Sequence, residues 1–239
     1  MNKPTVRVTL LESFRRYMSD ECSYVKEQDV IDSITKKFEG NNYTRIGTAF
    51  HSIVETGKIG YEEVPEGERE FTYYGKPVLS GRKFDVDNFD VIFDHDQCKV
   101  ALEYREEFKG AFHEVREYKD YGNAIVTGCA DMIHGLTIRD IKTKYSVPND
   151  SEYINSCQWR YYLDLFEADT FYFDLFVFGG YDPDKHKMDV RGLPLVRYHP
   201  AIECNRYPQM EQENRNLLNQ FLEWADFRNL THYLYNKKI

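Results

Sequence analysis

The chain reads as a single α/β domain in which a central mixed β-sheet is flanked by helices and preceded by an N-terminal helical lobe. Three observations predict this. Between Phe112 and Phe178, strand-like runs separated by the turn signals Asp120-Tyr121-Gly122-Asn123 and His134-Gly135 give the order β-β-β-α-β. That order implies a mixed sheet with a crossover helix on one face. The first 60 residues instead carry helical spacing, and no repeat, low-complexity tract or Gly/Ser- or Pro-rich linker divides the 239 residues.

Taken in order, Leu10, Leu11, Phe14 and Tyr17 predict a helix over 9–18. A polar helix over about 26–38 and a third over about 47–56 complete the entry lobe. From Glu70 the pattern alternates around Tyr74-Gly75-Lys76-Pro77 and Ser80-Gly81, which predicts a hairpin, followed by a helix within 96–108. Strands are expected over 113–118, 124–133 and 136–142. Pro148 then breaks the chain, and Asn149, Asp150 or Ser151 caps a helix whose apolar positions Ile154, Cys157, Tyr161 and Leu165 run through about 166. A strand over 171–178, another near 193–198 and a long helix over about 210–234 finish the reading. The whole of 1–239 is thus one domain, with 1–60 as a helical entry lobe, 61–110 as an insert, 111–180 as the core and 181–239 as a C-terminal strand and helix.

With 41% hydrophobic and 15% aromatic residues the composition excludes a disordered chain. No apolar run approaches the roughly 18 residues a membrane helix needs, and the first residues lack the pattern of a secretory signal. A soluble, cytoplasmic protein with no membrane partner is expected. The five cysteines are widely spaced with no CxxC pair, so they read as reduced thiols. The net charge of −9 runs against a nucleic-acid partner, because phosphate neutralisation uses Lys and Arg. The acidity is local, however: residues 61–121 hold 16 acids and nine bases, whereas 171–239 hold nine of each.

The chemistry concentrates around Gly128-Cys129-Ala130-Asp131 and Asp140-Ile141-Lys142-Thr143-Lys144. Asp131 falls near the end of one hairpin strand and Asp140 on its partner just after the turn. The two-residue period of a strand puts Asp140 and Lys142 on one face and turns Ile141 into the core. Two carboxylates and one ammonium therefore meet, a set suited to Mg²⁺ or Mn²⁺, with the lysine able to hold a water or offset phosphate charge. Taken alone, a DxK pair is an ordinary surface ion pair worth under about 1 kcal/mol. Its company changes the reading. Gln158 and Tyr162 lie at i and i+4 on the following helix, where an amide and a phenol can reach a nucleotide or phosphate. His51 and Glu55 share a face of an upstream helix as a metal ligand and a carboxylate that orients it or holds a second metal.

These residues resemble the RecB-like branch of the PD-(D/E)XK nucleases. That branch combines a GxxxH…E helix, a GxxD strand end, a DxK strand and a helix bearing QxxxY. Here the counterparts are Gly47 to His51 with Glu55, Gly128 to Asp131, Asp140-Ile141-Lys142-Thr143, and Gln158 to Tyr162, in the same order across residues 47–166. The resemblance implies a restriction-endonuclease-like core. It implies His51, Asp131 and Asp140 as metal ligands with the Ile141 carbonyl as an additional one, Lys142 as the catalytic lysine, and Gln158 and Tyr162 at the substrate. Lys144 stands where the family commonly has glycine and adds a basic group for the nucleic-acid backbone. Some relatives hold an iron–sulfur cluster through one cysteine before the core and three after it. Only Cys204 follows the helix here, so no cluster is expected.

The function that this resemblance implies is DNA phosphodiester hydrolysis with one or two Mg²⁺ or Mn²⁺ ions, by a stand-alone exonuclease of phage or bacterial recombination, repair or processing. A single-strand annealing protein, a separate helicase or further copies of the chain are its expected partners. A structure-specific or restriction-like endonuclease would use the same residues. A catalytically inactive DNA-binding or protein-interaction module is the alternative from another class.

Overall fold

The computed structural model of the protein describes residues 3–19, 25–35, 39–64 and 79–235. A short strand, β1 (Thr5–Arg7), leads into helix α1 (Val8–Met18), followed by α2 (Glu27–Thr35) and α3 (Asn42–Thr56). Strands β2 (Glu62–Val64), β3 (Gly81–Val86) and β4 (Phe89–Asp94) pair antiparallel as a small sheet, and α4 (His95–Glu107) follows. Then come β5 (Phe112–Asp120), β6 (Ile125–His134), β7 (Thr137–Lys144), helices α5 (Asp150–Ile154) and α6 (Gln158–Leu165), and β8 (Thr170–Phe178). Helix α7 (Pro183–His186), strands β9 (Leu195–Arg197) and β10 (Ile202–Asn205), and helices α8 (Met210–Phe227) and α9 (His232–Tyr235) complete the described chain.

The main sheet has the order β1-β6-β7-β8-β10, with β5 also pairing β6 and β9 also pairing β8. It is mixed as expected. The hairpins β5–β6 and β6–β7 are antiparallel, whereas β7 and β8 run parallel over Thr137–Lys144, with α5 and α6 forming the crossover. Each hairpin turn has its local cause. Gly122 at φ +96° donates its N–H to Asp120 Oδ1 in one, and Gly135 at φ +64° reverses the other. Strand β8 is apolar on both sides, as a strand covered on both faces must be. Phe171, Phe173 and Leu175 join the core under α1, α6 and α8, while Phe176 and Phe178 join a second core under α3 and α4. No helix among the described residues is long and apolar enough to cross a membrane.

The differences from expectation are local. β1 and β10 are too short to show a period. The helix expected from 149 to 166 is broken after Ile154, which is exposed rather than core-facing. Its break is anchored from a distance, because the Cys157 N–H donates to the buried carboxylate of Glu12 at 2.8 Å instead of to a helix carbonyl. The long C-terminal helix likewise stops at Phe227 and resumes as α9. The third helix starts earlier than expected, at Asn42, because Asn41 and Thr44 form a capping box. The proposed turn at Tyr74–Pro77, the end of the second helix at 36–38 and Cys22 lie outside the described residues. In the small sheet the tight turn is at Asp87-Asn88, both at positive φ, between β3 and β4.

Glu12 ties α1 to this crossover. It is buried, accepts from Arg15 Nε at 3.0 Å and Arg16 Nε at 2.8 Å, and receives Cys157 N–H. Burial opposes its ionisation, but the hydrogen bonds and charges of Arg15 and Arg16 outweigh that and bring its pKa down to about 2. A carboxylate with a depressed pKa stabilises the fold above its unfolded value and loses that contribution as pH falls through the folded one. Glu12→Gln is therefore expected to cost about 3 kcal/mol at pH 7. In urea titrations the gap between wild type and variant should be constant above pH 5 and close as pH falls from 4.5 towards about 2.

Candidate active site

The site is built where β6 and β7 part. Their ladder pairs Thr137 with His134, Ile138 with Ile133 and Arg139 with Met132, and then ends. The next residues facing one another would be Asp131 and Asp140. Instead of a backbone acceptor, the Ile141 N–H finds Asp131 Oδ2 at 2.7 Å. β1 takes up the N-terminal part of the same β6 edge, pairing Thr5–Arg7 with Ile125, Val126 and Thr127. The opening between β6 and β7 is thus closed at one end by the hairpin and flanked by β1 at the other.

Helix α3 lies against this opening. Gly47 allows the approach, since a Cβ there would stand 3.0 Å from Thr143 Oγ1. One turn on, His51 Nε2 donates to the Ile141 carbonyl at 2.8 Å, and its Nδ1 lies 3.7 Å from Asp131 Oδ2. On the other side of β6, Glu114 of β5 sits level with Asp131, between the pairs His113–Met132 and Val115–Ala130. It is not itself in the ladder, because its backbone is at φ +50°. This is a left-handed conformation that costs a non-glycine residue on the order of 1 kcal/mol. The turn-out brings Glu114 to His51 and Asp131: one ligand atom from each of the three lies within 4.8 Å of the others. Burial, then the charge of Asp131, raise the Glu114 pKa, while the thiol of Cys129, 3.5 Å away, donates to it.

Asp140 stands beside this trio. It is 4% exposed, its Oδ1 accepts from Gln158 Nε2 at 2.8 Å, and Lys142 Nζ is 2.7 Å from its Oδ2. That ion pair lacks hydrogen-bond alignment, so Oδ2 is buried without a hydrogen bond. The contrast with the other buried acids is informative. Asp174 takes Arg139, Arg197 and Tyr104, Asp164 takes Lys119 and Tyr121, Asp94 takes the N–H groups of Gln97 and Gly192, and Glu12 is paired as above. Among the described residues Asp140 supplies the one buried carboxylate oxygen left without a hydrogen bond. Burial pushes the Asp140 pKa up against the pull of Lys142, and Asp131 adds to the rise. For Lys142 burial works against the charge, but Asp140 and Asp131 prevail and hold its pKa above the ordinary value.

The donors fit a divalent cation. His51, Glu114, Asp131, the Ile141 carbonyl and the orphaned Asp140 oxygen form a mostly hard-oxygen set with one imidazole, as Mg²⁺ and Mn²⁺ take. A cation there would relieve three carboxylates gathered at one level of the sheet.

Of the residues singled out from sequence, His51, Asp131, Asp140, Ile141 and Lys142 come together. Glu55 lines the same cleft one turn beyond His51, outside the close trio. Gln158 and Tyr162, expected at the substrate, lie beneath the site instead. Gln158 spends its amide on Asp140, and Tyr162 is 4% exposed with its hydroxyl on the Cys129 carbonyl at 2.8 Å. Lys144, expected to reach a nucleic-acid backbone, lies 3.5 Å from Glu152 and over the Tyr153 ring. Glu114 was not singled out. Its strand alternates like any other, and a positive φ at a glutamate leaves no mark in the sequence.

No protein-family model and no curated protein matches the chain. Solved structures do. SSO0001 aligns over 95% of this chain and 78% of its own at 15% identity with a TM-score of 0.44. A phage-related exonuclease of Haemophilus somnus 129PT aligns over 92% and 96% at 14% identity and 0.42. A candidate exonuclease of Eubacterium rectale aligns over 100% and 84% at 12% identity and 0.41.

Gly128 shows how tightly the site is underpinned. A Cβ there would meet the Tyr162 ring at 3.1 and 3.3 Å and Val8 at 3.3 Å. Gly128→Ala is expected to cost about 1–3 kcal/mol by overpacking, read as a lowered Tm, because the Tyr162 ring is held by its own hydrogen bond and cannot withdraw.

Proposed function

We propose that the chain is a divalent-metal-dependent deoxyribonuclease acting as an exonuclease, with the opening between β6 and β7 as its active site. The observation that carries this reading is the Asp140 carboxylate. It is buried, short of one hydrogen bond, set beside Lys142 and next to a His51–Glu114–Asp131 group of metal-ligating geometry. A structural ion pair has no need of two further acids beside it, whereas a site that binds a cation and a phosphodiester does.

His51, Glu114, Asp131, Asp140 and the Ile141 carbonyl would hold Mg²⁺ or Mn²⁺, which when bound supplies Lewis acidity for the attacking water and the phosphate. The chain's own contributions follow from its geometry. Lys142, 36% exposed and held protonated by Asp140 and Asp131, presents its ammonium to the open side of the site. There it offsets charge building on the phosphate oxygens and orients the water that attacks. Gln158 fixes the Asp140 carboxylate through Oδ1, which leaves Oδ2 to Lys142. Asp131 keeps the Ile141 carbonyl in place through the Ile141 N–H. The cleft in front, about 760 Å³, runs along α3 between Glu114 and Tyr145 and gives an extended strand access to Lys142.

The test is release of nucleotides from end-labelled linear DNA with Mg²⁺, Mn²⁺ or EDTA. Metal-dependent release is expected from wild type and should fall at least a hundredfold in Asp140→Ala and Lys142→Ala. Closed circular DNA should resist. Activity surviving in both variants would move the chemistry elsewhere, and cutting of circles at the rate of linear DNA would replace the exonuclease by an endonuclease.

A further inference from the structure

Past the metal-ligating group the cleft runs on to three tyrosines. Tyr145 directly follows β7, Tyr43 is in the first turn of α3, and Tyr181 lies just beyond β8. Their ring centroids are 4.9 Å apart for Tyr43–Tyr145, 5.5 Å for Tyr43–Tyr181 and 4.6 Å for Tyr145–Tyr181. The inner two are fixed. Tyr145 stacks on Phe178 at 15° and donates its hydroxyl to the Tyr43 carbonyl at 3.1 Å, and Tyr181 donates to the Lys187 carbonyl at 2.5 Å. Tyr43 is the outer ring. It is 41% exposed, lines the cleft, and meets the other two at 69° and 68°.

Packing explains Tyr145 and Tyr181, whose rings cover the second core. It does not explain a large aromatic held by two others yet left open to the cleft. The charge of the cleft narrows the choice of ligand. Among the described residues Lys142 is the only Lys or Arg lining it, and Glu55 and Glu114 line it too. Nearby, Arg16 and Lys144 both contact Glu152. A duplex gripped by its phosphates needs several cations, since each contact contributes through counterion release. Among the described residues one ammonium faces two carboxylates, so the affinity these residues give a strand has to come largely from another source. An aromatic platform is such a source, and it acts on unpaired bases, whose faces are free, rather than on bases inside a flush duplex. Tyr145 is three residues beyond Lys142, about 10 Å of strand rise, so a base stacked on Tyr43 belongs to a nucleotide close to the one being cut.

We propose that Tyr43, backed by Tyr145 and Tyr181, is a base-stacking platform, and that the substrate class is therefore an unpaired DNA strand, either free or at the end of a duplex. This rests on the nuclease reading for the cutting step but not for binding. Fluorescence anisotropy of a labelled oligothymidylate in EDTA reads binding alone. Tyr43→Phe should bind like wild type and Tyr43→Ala about tenfold more weakly, with unchanged thermal melts in both variants. The dependence on salt should be shallow, with a log–log slope of about −1. With Mg²⁺, wild type should degrade single strands and tailed duplexes faster than flush duplexes, and Tyr43→Ala should lose that preference. Equal binding by wild type and Tyr43→Ala, or faster cutting of flush duplex than of single strands, would overturn the platform and leave the nuclease standing. Tyr43-dependent binding without cleavage of any substrate would keep the platform and remove the nuclease.

Discussion

The parting of β6 from β7 sets the rest of the site. Two antiparallel strands that begin a ladder at a tight turn ordinarily continue it, since each unmade backbone hydrogen bond in a covered sheet is costly. Here continuation would place Asp131 directly against Asp140, and like charges facing one another across a ladder are destabilising. The ladder stops there, and the Asp131 carboxylate serves as the acceptor that the Ile141 N–H would otherwise lack. One side chain thus satisfies the backbone and holds the opening. Everything nearby is referred to that opening: α3 brings His51 onto the Ile141 carbonyl, β1 occupies the vacated part of the β6 edge, and α6 supplies Gln158 from below.

Stability is spent unevenly as a result. The other buried acids have hydrogen-bond partners on both carboxylate oxygens, and the crossover behind the site is tied to α1 by Glu12, Arg15 and Arg16. At the opening the chain keeps a buried carboxylate oxygen without a hydrogen bond, a glutamate in left-handed backbone and three carboxylates at one level. Other residues have positive φ or an unpartnered buried polar atom, but at the opening both features fall beside a group of acids.

The strand period made much of this legible. Asp140 and Lys142 on one face, with Ile141 buried between them, follow from alternation alone, and the turn at His134-Gly135 brings Asp131 across. The i, i+4 spacing puts His51 on the cleft face of α3. What escaped was whatever depends on distant contacts. The break after Ile154 exists because Glu12, far away in sequence, captures the Cys157 N–H. Gln158 and Tyr162 have the spacing of a surface pair, yet α6 is pressed so closely on β6 that both turn inward, which Gly128 permits. Glu114 depends on a single backbone dihedral. The strands β1 and β10 pair over three and four residues, too few for a pattern.

The central claim is that the opening between β6 and β7 is a divalent-cation site organised by Asp131. Calorimetric titration of the full chain with Mn²⁺ tests it most directly, comparing wild type with Asp131→Asn, which keeps an acceptor for the Ile141 N–H but removes the charge. Wild type should bind one or two ions, and the variant should bind at least tenfold more weakly while melting at a similar temperature. Equal affinity in the two proteins, or no binding to wild type at millimolar Mn²⁺, would contradict the account.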